Sequence, residues 1–201
     1  MKKQWLIISA SSREASESLR VAQHVLSQAK VENNIEAELL DLSQYKLPEI
    51  NNELLADPSK NVVWKNISEK LSQATGFVFV VPEWHGMAPP KLMKLLLLCT
   101  NFEVAHKPAL IVSISAGLGG TYPVIQLRTV GFKNNHICFI PENLIVRRVG
   151  DLFHESSGSH ENDIAVRKRL NFCLSILSSY DDGLSLVRKS PVDIKAYPYG
   201  Q

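Results

Sequence analysis

Cysteine is scarce in this sequence: there are three, Cys99, Cys138 and Cys173, with no CxxC pair among them. That excludes a disulfide framework and a zinc knuckle, and the odd number suits a reducing compartment. Excess charge is lacking too. The formal net charge is +2, and the longest basic run, Arg167-Lys168-Arg169, reads as the solvated face of a helix. Neither nucleic acid nor a membrane surface is expected as a partner. The most apolar stretch, Leu92 to Cys99, is interrupted by Lys94 and falls far short of the roughly 20 residues of a membrane span. The opening MKKQWLIISASS has too short an apolar segment for a signal sequence. A cytoplasmic protein without a membrane span is expected. Internal repeats and low-complexity linkers are absent, and no G-x-G-x-x-G follows the first apolar run, which disfavours a Rossmann dinucleotide domain.

What is present is a globular composition, 45% hydrophobic and 21% charged over 201 residues. This fits one domain over 1–201, with 147–201 as a C-terminal helix and tail. Trp5 to Ala10, Glu36 to Leu42, Phe77 to Val81, Ala109 to Ser115 and His136 to Leu144 read as strands, short runs of β-formers closed by polar or breaking residues. Between them, helical spacing runs from Ser16 to Ala29, from Val62 to Leu71, from Pro89-Pro90 to about Asn101, and from Tyr122 to Phe132. A last helix covers about Asn162 to Tyr180, and a polar irregular stretch runs from Ser43 to Lys60. Strands alternating with helices imply right-handed βαβ units and a parallel sheet. The expectation is an α/β, flavodoxin-like three-layer sandwich with a five-stranded parallel sheet in the order 2-1-3-4-5. Its ligand crevice then lies at the β1/β3 switch point.

The informative segments follow strands one, three and four, so that topology gathers them on one edge. The first is Ser11-Ser12-Arg13-Glu14-Ala15-Ser16-Glu17-Ser18. Hydroxyls and a guanidinium at a helix start suit a phosphate; the same residues also make an ordinary cap with a solvated arginine. The second is Pro82-Glu83-Trp84-His85-Gly86-Met87-Ala88-Pro89. It offers a flat ligand an aromatic wall and a close backbone, or is simply a rigid turn with His85 exposed. The third, Ser115-Ala116-Gly117-Leu118-Gly119-Gly120-Thr121, either presents N–H groups to ring carbonyls or makes a tight strand-to-helix turn. His154, Glu155, His160, Glu161 and Asp163 are too irregularly spaced for a metal set and read as solvated side chains.

Together these loops resemble the NADPH-dependent FMN reductase family, which includes quinone, azo-dye and chromate reductases. The resemblance runs from about Trp5 to Ile145. The family's G-S-x-R-x-x-S-x-N is matched by Ser11, Arg13 and Ser16, with Ala10 and Ser18 replacing Gly and Asn. Its P-E-Y-N-x-S-x-P keeps Pro82, Glu83 and Pro89, and its S-x-G-x-x-G-G is echoed by Ser115, Gly117, Gly119 and Gly120. Leu127-Arg128 on the next helix fits as well.

The resemblance implies that Ser11, Arg13, Ser16 and Ser18 hold an FMN phosphate. Pro82, Glu83, Trp84, His85, Gly86, Ser115, Gly117, Gly119 and Gly120 would frame its ring. It further implies hydride transfer from NADPH or NADH through FMN to a flavin, quinone or similar acceptor, with no catalytic acid or base required of the protein. A homodimer or homotetramer, formed through the helices after strands three and four, is implied too. The sequence departs from the family at Trp84 for Tyr, at His85 for Asn, at Met87, and in the helix KLMKLLLLCT. A non-enzymatic flavin module, or a relative that has lost FMN, is the alternative these departures leave open.

Overall fold

The computed structural model describes residues 2–31, 35–155, 158–193 and 196. The five strands are β1 (Lys3–Ser9), β2 (Ile35–Asp41), β3 (Gly76–Pro82), β4 (Pro108–Ile114) and β5 (Cys138–Val146). They pair in parallel throughout, in the order β2-β1-β3-β4-β5, as the flavodoxin-like expectation required. The helices are α1 (Glu17–Val31), α2 (Asn52–Ala56), α3 (Val62–Gln73), α4 (Pro90–Leu98), α5 (Asn101–Val104), α6 (Thr121–Val130) and α7 (Glu161–Arg188).

Alternation along the strands sorts the side chains into two cores. Leu6, Ile8, Phe77, Phe79 and Ile111 meet Trp64, Ile67, Leu71, Leu92, Leu95 and Leu127 of α3, α4 and α6 on one face. Trp5, Ile7, Val78, Val80, Leu110 and Val112 meet Val21, Ala22 and Val25 of α1, and Leu170, Leu174 and Leu177 of α7, on the other. Each fully buried aliphatic or aromatic side chain contributes about 1.5–3 kcal/mol. The crossover from β1 to β2 runs one way and the later crossovers run the other. The loops after β1 and β3 therefore diverge and open a crevice between them.

Several boundaries differ from the periodicity-based expectation, each for a polar reason. The helix expected through Asn101 breaks after Leu98. Thr100 is extended and starts α5 with a capping box, its side chain accepting the Phe102 N–H while Glu103 Oε2 accepts the Thr100 N–H at 2.8 Å. The stretch from Ser43 to Lys60 contains α2, capped by Asn51, whose side chain accepts the Leu54 N–H at 2.9 Å.

The last helix continues two turns past Tyr180. Asp181 is buried there, accepting Trp5 Nε1 (3.1 Å), Thr75 Oγ1 (2.6 Å) and Arg188 Nη2 (3.0 Å). Those bonds anchor α7 across the bottom of β1 and β3. Apolar spacing cannot forecast such an extension, because a polar network holds it. The Pro/Tyr tail lies, from 197 on, outside the described residues.

Two expectations of solvated side chains are corrected. Asp163 is fully buried, its carboxylate accepting the Phe153 and Ser159 N–H groups (both 3.1 Å) and pairing with Arg167 Nε at 3.1 Å. Arg167 is accordingly turned inward and is not part of a solvated basic face. The pair fixes the approach to α7, which starts at the His160 cap. Among the described residues, no helix is long and apolar enough to cross a membrane.

Candidate functional site

The loops after β1, β3 and β4 meet at the carboxyl edge of the sheet. In the first, Ser11 is fully buried and its Oγ accepts the Arg13 N–H at 3.1 Å, which turns the chain directly after β1. Ser16 caps α1: its Oγ accepts the Leu19 N–H at 3.2 Å and its carbonyl accepts Leu19 and Arg20. Ser18 lies buried in the first turn, while Arg13 is exposed. The N–H groups of the first turn lack intrahelical acceptors and carry the positive end of the helix dipole. Glu17 is neutralised by Arg20, which also donates to the Val149 carbonyl at 2.7 Å and so ties α1 to the segment after β5.

The second loop is a two-residue hairpin. Trp84 and Met87 exchange N–H···O bonds, both of 2.9 Å. Between them His85 and Gly86 have φ of 49° and 74°, the paired positive values of a type I′ turn. The departure of His85 from the family's Asn thus falls at a position where both residue types tolerate the left-handed region. Met87 is 54% exposed and points away from the core. The Ala88 N–H is held by Gln126 Oε1 of α6 at 2.8 Å.

The third loop is bound to the second. Glu83 Oε2 accepts the Gly120 N–H at 2.6 Å. A Cβ on Gly119 would stand 2.4 Å from Glu83 Oε1, and one on Gly120, whose φ is 102°, would stand 2.6 Å from Ile145 Cγ2. Gly120 is therefore demanded by its positive φ and by packing, whereas a side chain on Gly119 would meet only the carboxylate end of Glu83 and push it from its bond to Gly120. Gly117 is different, since nothing lies within 4 Å of its added Cβ. Its N–H is held by Ser115 Oγ (3.2 Å) and its carbonyl accepts the Arg148 N–H (2.9 Å).

Arg13, Glu83, Trp84 and His85 line an open depression of about 490 Å3. The Arg13 guanidinium lies 5.8 Å from the centre of the Trp84 ring, bridging the first and second loops. The thirteen residues expected at the site thus share one sheet edge, but their roles divide. Ser11, Ser16, Glu83, Gly119 and Gly120 build the loops. Arg13, Trp84, His85 and Gly117 face open space.

Two observations bear on whether a flavin mononucleotide suits this edge. The helix-end loop carries hydroxyls and one guanidinium, that of Arg13, with no carboxylate partner among the described residues, a donor set for a phosphate. The hydroxyls of Ser9, the last residue of β1, and Ser113, next to last in β4, are buried without hydrogen-bond partners among the described residues. Orphaned polar atoms are uncommon in a finished core; Ser113 Oγ lies 3.6 Å from where a Cβ on Gly120 would stand, next to the third loop, whereas Ser9 points to the opposite face of the sheet. The residues present fit the group.

Sequence reasoning missed several participants. Tyr122 stands 3.7 Å from a Cβ built on Gly86, and Gln126 holds the second loop. Arg147 Nε donates to the Leu118 carbonyl at 2.7 Å, and Arg148 is bound through its backbone to Gly117. The usable signal for the arginines was position. They directly follow β5, and every strand of a parallel sheet ends on the same edge.

Solved structures with this architecture include an oxidoreductase from Corynebacterium diphtheriae (13% identity, TM-score 0.63, covering 90% of this chain and 97% of that one). An NADH:FMN oxidoreductase, EmoB, in its apo form is 16% identical with a TM-score of 0.67, covering 87% of this chain and 88% of that one. FerB, a flavoenzyme NAD(P)H:acceptor oxidoreductase from Paracoccus denitrificans, is 18% identical with a TM-score of 0.62, covering 91% and 97%. At such identities the likeness concerns the fold. The sequence itself carries the kinship further: residues 4–150, the greater part of the chain, match the model of the NADPH-dependent FMN reductases, and the chain belongs to that family.

Proposed function

We propose that this protein is an FMN-dependent NAD(P)H oxidoreductase that passes reducing equivalents to a flavin, quinone or similar small acceptor. The observation that carries the reading is the junction of three loops at the switch point, where Glu83 locks the second loop to the third through Gly120 and Arg13 reaches from the first to Trp84. FMN, when bound, would supply the redox chemistry that links the nicotinamide donor to the acceptor. The chain's own work is positional. Arg13 and the hydroxyls and N–H groups of 11–18 hold the phosphate. Trp84 and the His85-Gly86 turn form one wall of the ring site, and the Ser115–Gly120 backbone forms the other. The open space beside Gly117 leaves a face free for a second ring.

A homodimer or homotetramer accompanies this reading. Leu92, Leu95, Leu96 and Leu98 of α4 are spent on the chain's own core, so the surface for a second copy is Leu97 together with Tyr122, Ile125 and Val130 of α6, all exposed. Such a grouping of large apolar side chains fits an interface. The whole chain is read as one domain acting in the cytoplasm, in keeping with three free thiols.

The test is the visible spectrum of purified protein after incubation with FMN and desalting, followed by NADPH oxidation with a quinone. Retained flavin bands and turnover, both reduced at least tenfold by Arg13→Ala, are expected. A folded protein that retains no flavin would end the enzyme reading, and retained flavin without turnover would favour the non-enzymatic module.

A further inference from the structure

A second hollow adjoins the crevice on the far side of the first loop. Ser12, the segment after β2 and the first turn of α4 border an open cleft of about 580 Å3. Ser12 borders this cleft and Arg13 borders the depression beside Trp84. The two hollows therefore flank one stretch of backbone, on neighbouring residues whose Cα atoms are about 3.8 Å apart.

Lys46, Lys91 and Lys94 line the cleft. Lys94 is neutralised by Glu49 at 2.7 Å. The Asp41 carboxylate is engaged by the Ser43 N–H (3.1 Å) and Oγ (2.6 Å). Lys46 and Lys91 have no ion pair or hydrogen bond among the described residues.

Lys91 is the anomaly. It is half-buried at the second position of α4, after Pro90, where the helix dipole disfavours a cation. Burial pulls its amine below the usual lysine range, with the Asp41 charge offsetting part of the effect. Stability gives no reason for an unpaired cation there, whereas an arriving anion supplies one. Tyr45, half-buried on the same wall, adds a flat apolar surface with a polar tip.

We propose that this cleft receives the adenosine end of NADPH, with Lys91 and Lys46 gripping its 2′-phosphate, and so sets the preference for NADPH over NADH. The assignment rests on the oxidoreductase reading above. NADH lacks the 2′-phosphate and leaves both amines unpaired. Tyr45 offers a face to the adenine, and the backbone of Ser12 and Arg13 is the bridge over which the rest of the dinucleotide passes toward Trp84.

The test is calorimetric titration of the FMN-incubated protein with adenosine 2′,5′-bisphosphate, with 5′-AMP as control. The native protein is expected to bind the bisphosphate at least tenfold more tightly, Lys91→Gln to shrink that difference to about twofold, and Lys91→Arg to keep it. In steady state, Lys91→Gln raises the ratio of KM for NADPH to KM for NADH about tenfold. Equal binding of the two nucleotides by the native protein would overturn the assignment. So would a difference that survives both Lys91→Gln and Lys46→Gln. Failure of the oxidoreductase reading is seen separately, as absent flavin bands or no oxidation of either dinucleotide, and the titration still decides the cleft.

Discussion

The Glu83 carboxylate holds the Gly120 N–H at 2.6 Å and fills the space where a side chain on Gly119 would stand. One residue thus sets the separation of the two loops proposed to frame the flavin ring. A hydrogen bond to a charged group contributes about 1.5–3 kcal/mol. Glu83→Ala is expected to leave the protein folded and weaken FMN binding at least tenfold, read by fluorescence titration, with Glu83→Gln intermediate. Native affinity in the alanine variant would show that the tie is dispensable.

Gly120 has a φ of 102° and no room for a side chain beside Ile145. Gly120→Ala is expected to lower stability by about 2 kcal/mol through left-handed strain and overpacking. Adding Ile145→Ala should recover only the steric part, because φ stays positive. Full recovery in a urea melt of the double variant would mean that backbone strain contributes nothing.

Lys107 is buried and donates to three carbonyls, those of Leu71 (2.8 Å), Ser72 (2.8 Å) and Glu103 (2.7 Å), which closes α3 and α5 with one ammonium. Lys107→Met keeps the bulk and removes the donors. A loss of about 2–4 kcal/mol in unfolding free energy is expected, and a loss below about 1 kcal/mol would assign those carbonyls to water instead.

His24 packs against Phe153, their ring centres 4.6 Å apart. Burial first, and then the Arg167 charge, lower its pKa from 6.5 to about 4, against an opposing effect of Asp163. Between these values the unfolded chain binds a proton that the folded chain refuses, so stability falls as pH drops through that window. After allowance for solvent screening the loss is about 1–2 kcal/mol. Urea midpoints at pH 7, 5.5 and 4.5 should decline less steeply for His24→Gln than for the native protein. Parallel declines would place the acid sensitivity elsewhere.

Much of the fold was legible because burial writes itself as pattern. Phe77 to Val81 can only be a strand buried on both faces, and helical spacing after each strand leaves parallel pairing as the outcome. The elements that slipped were those ended or extended by polar contacts between distant residues. Thr100 with Glu103 cut a helix short, and Asp181 with Trp5 and Thr75 prolonged another. Asp163 looked like a solvated acid because its partners, the N–H groups of Phe153 and Ser159, are backbone atoms that composition does not display.

The site divides in the same way. By itself, the sequence determined which residue types stand at the carboxyl ends of the strands, since alternation and chain direction are local properties. Only the tertiary structure decided what those residues do. Glu83 is spent on Gly120, the glycines answer to Glu83 and Ile145, and Lys91 stands beside Ser12 without an ion pair among the described residues. These are encounters between segments far apart in the chain. Hydrogen bonds and steric limits act over a few ångströms, so such roles are fixed only once the sheet has brought its loops together.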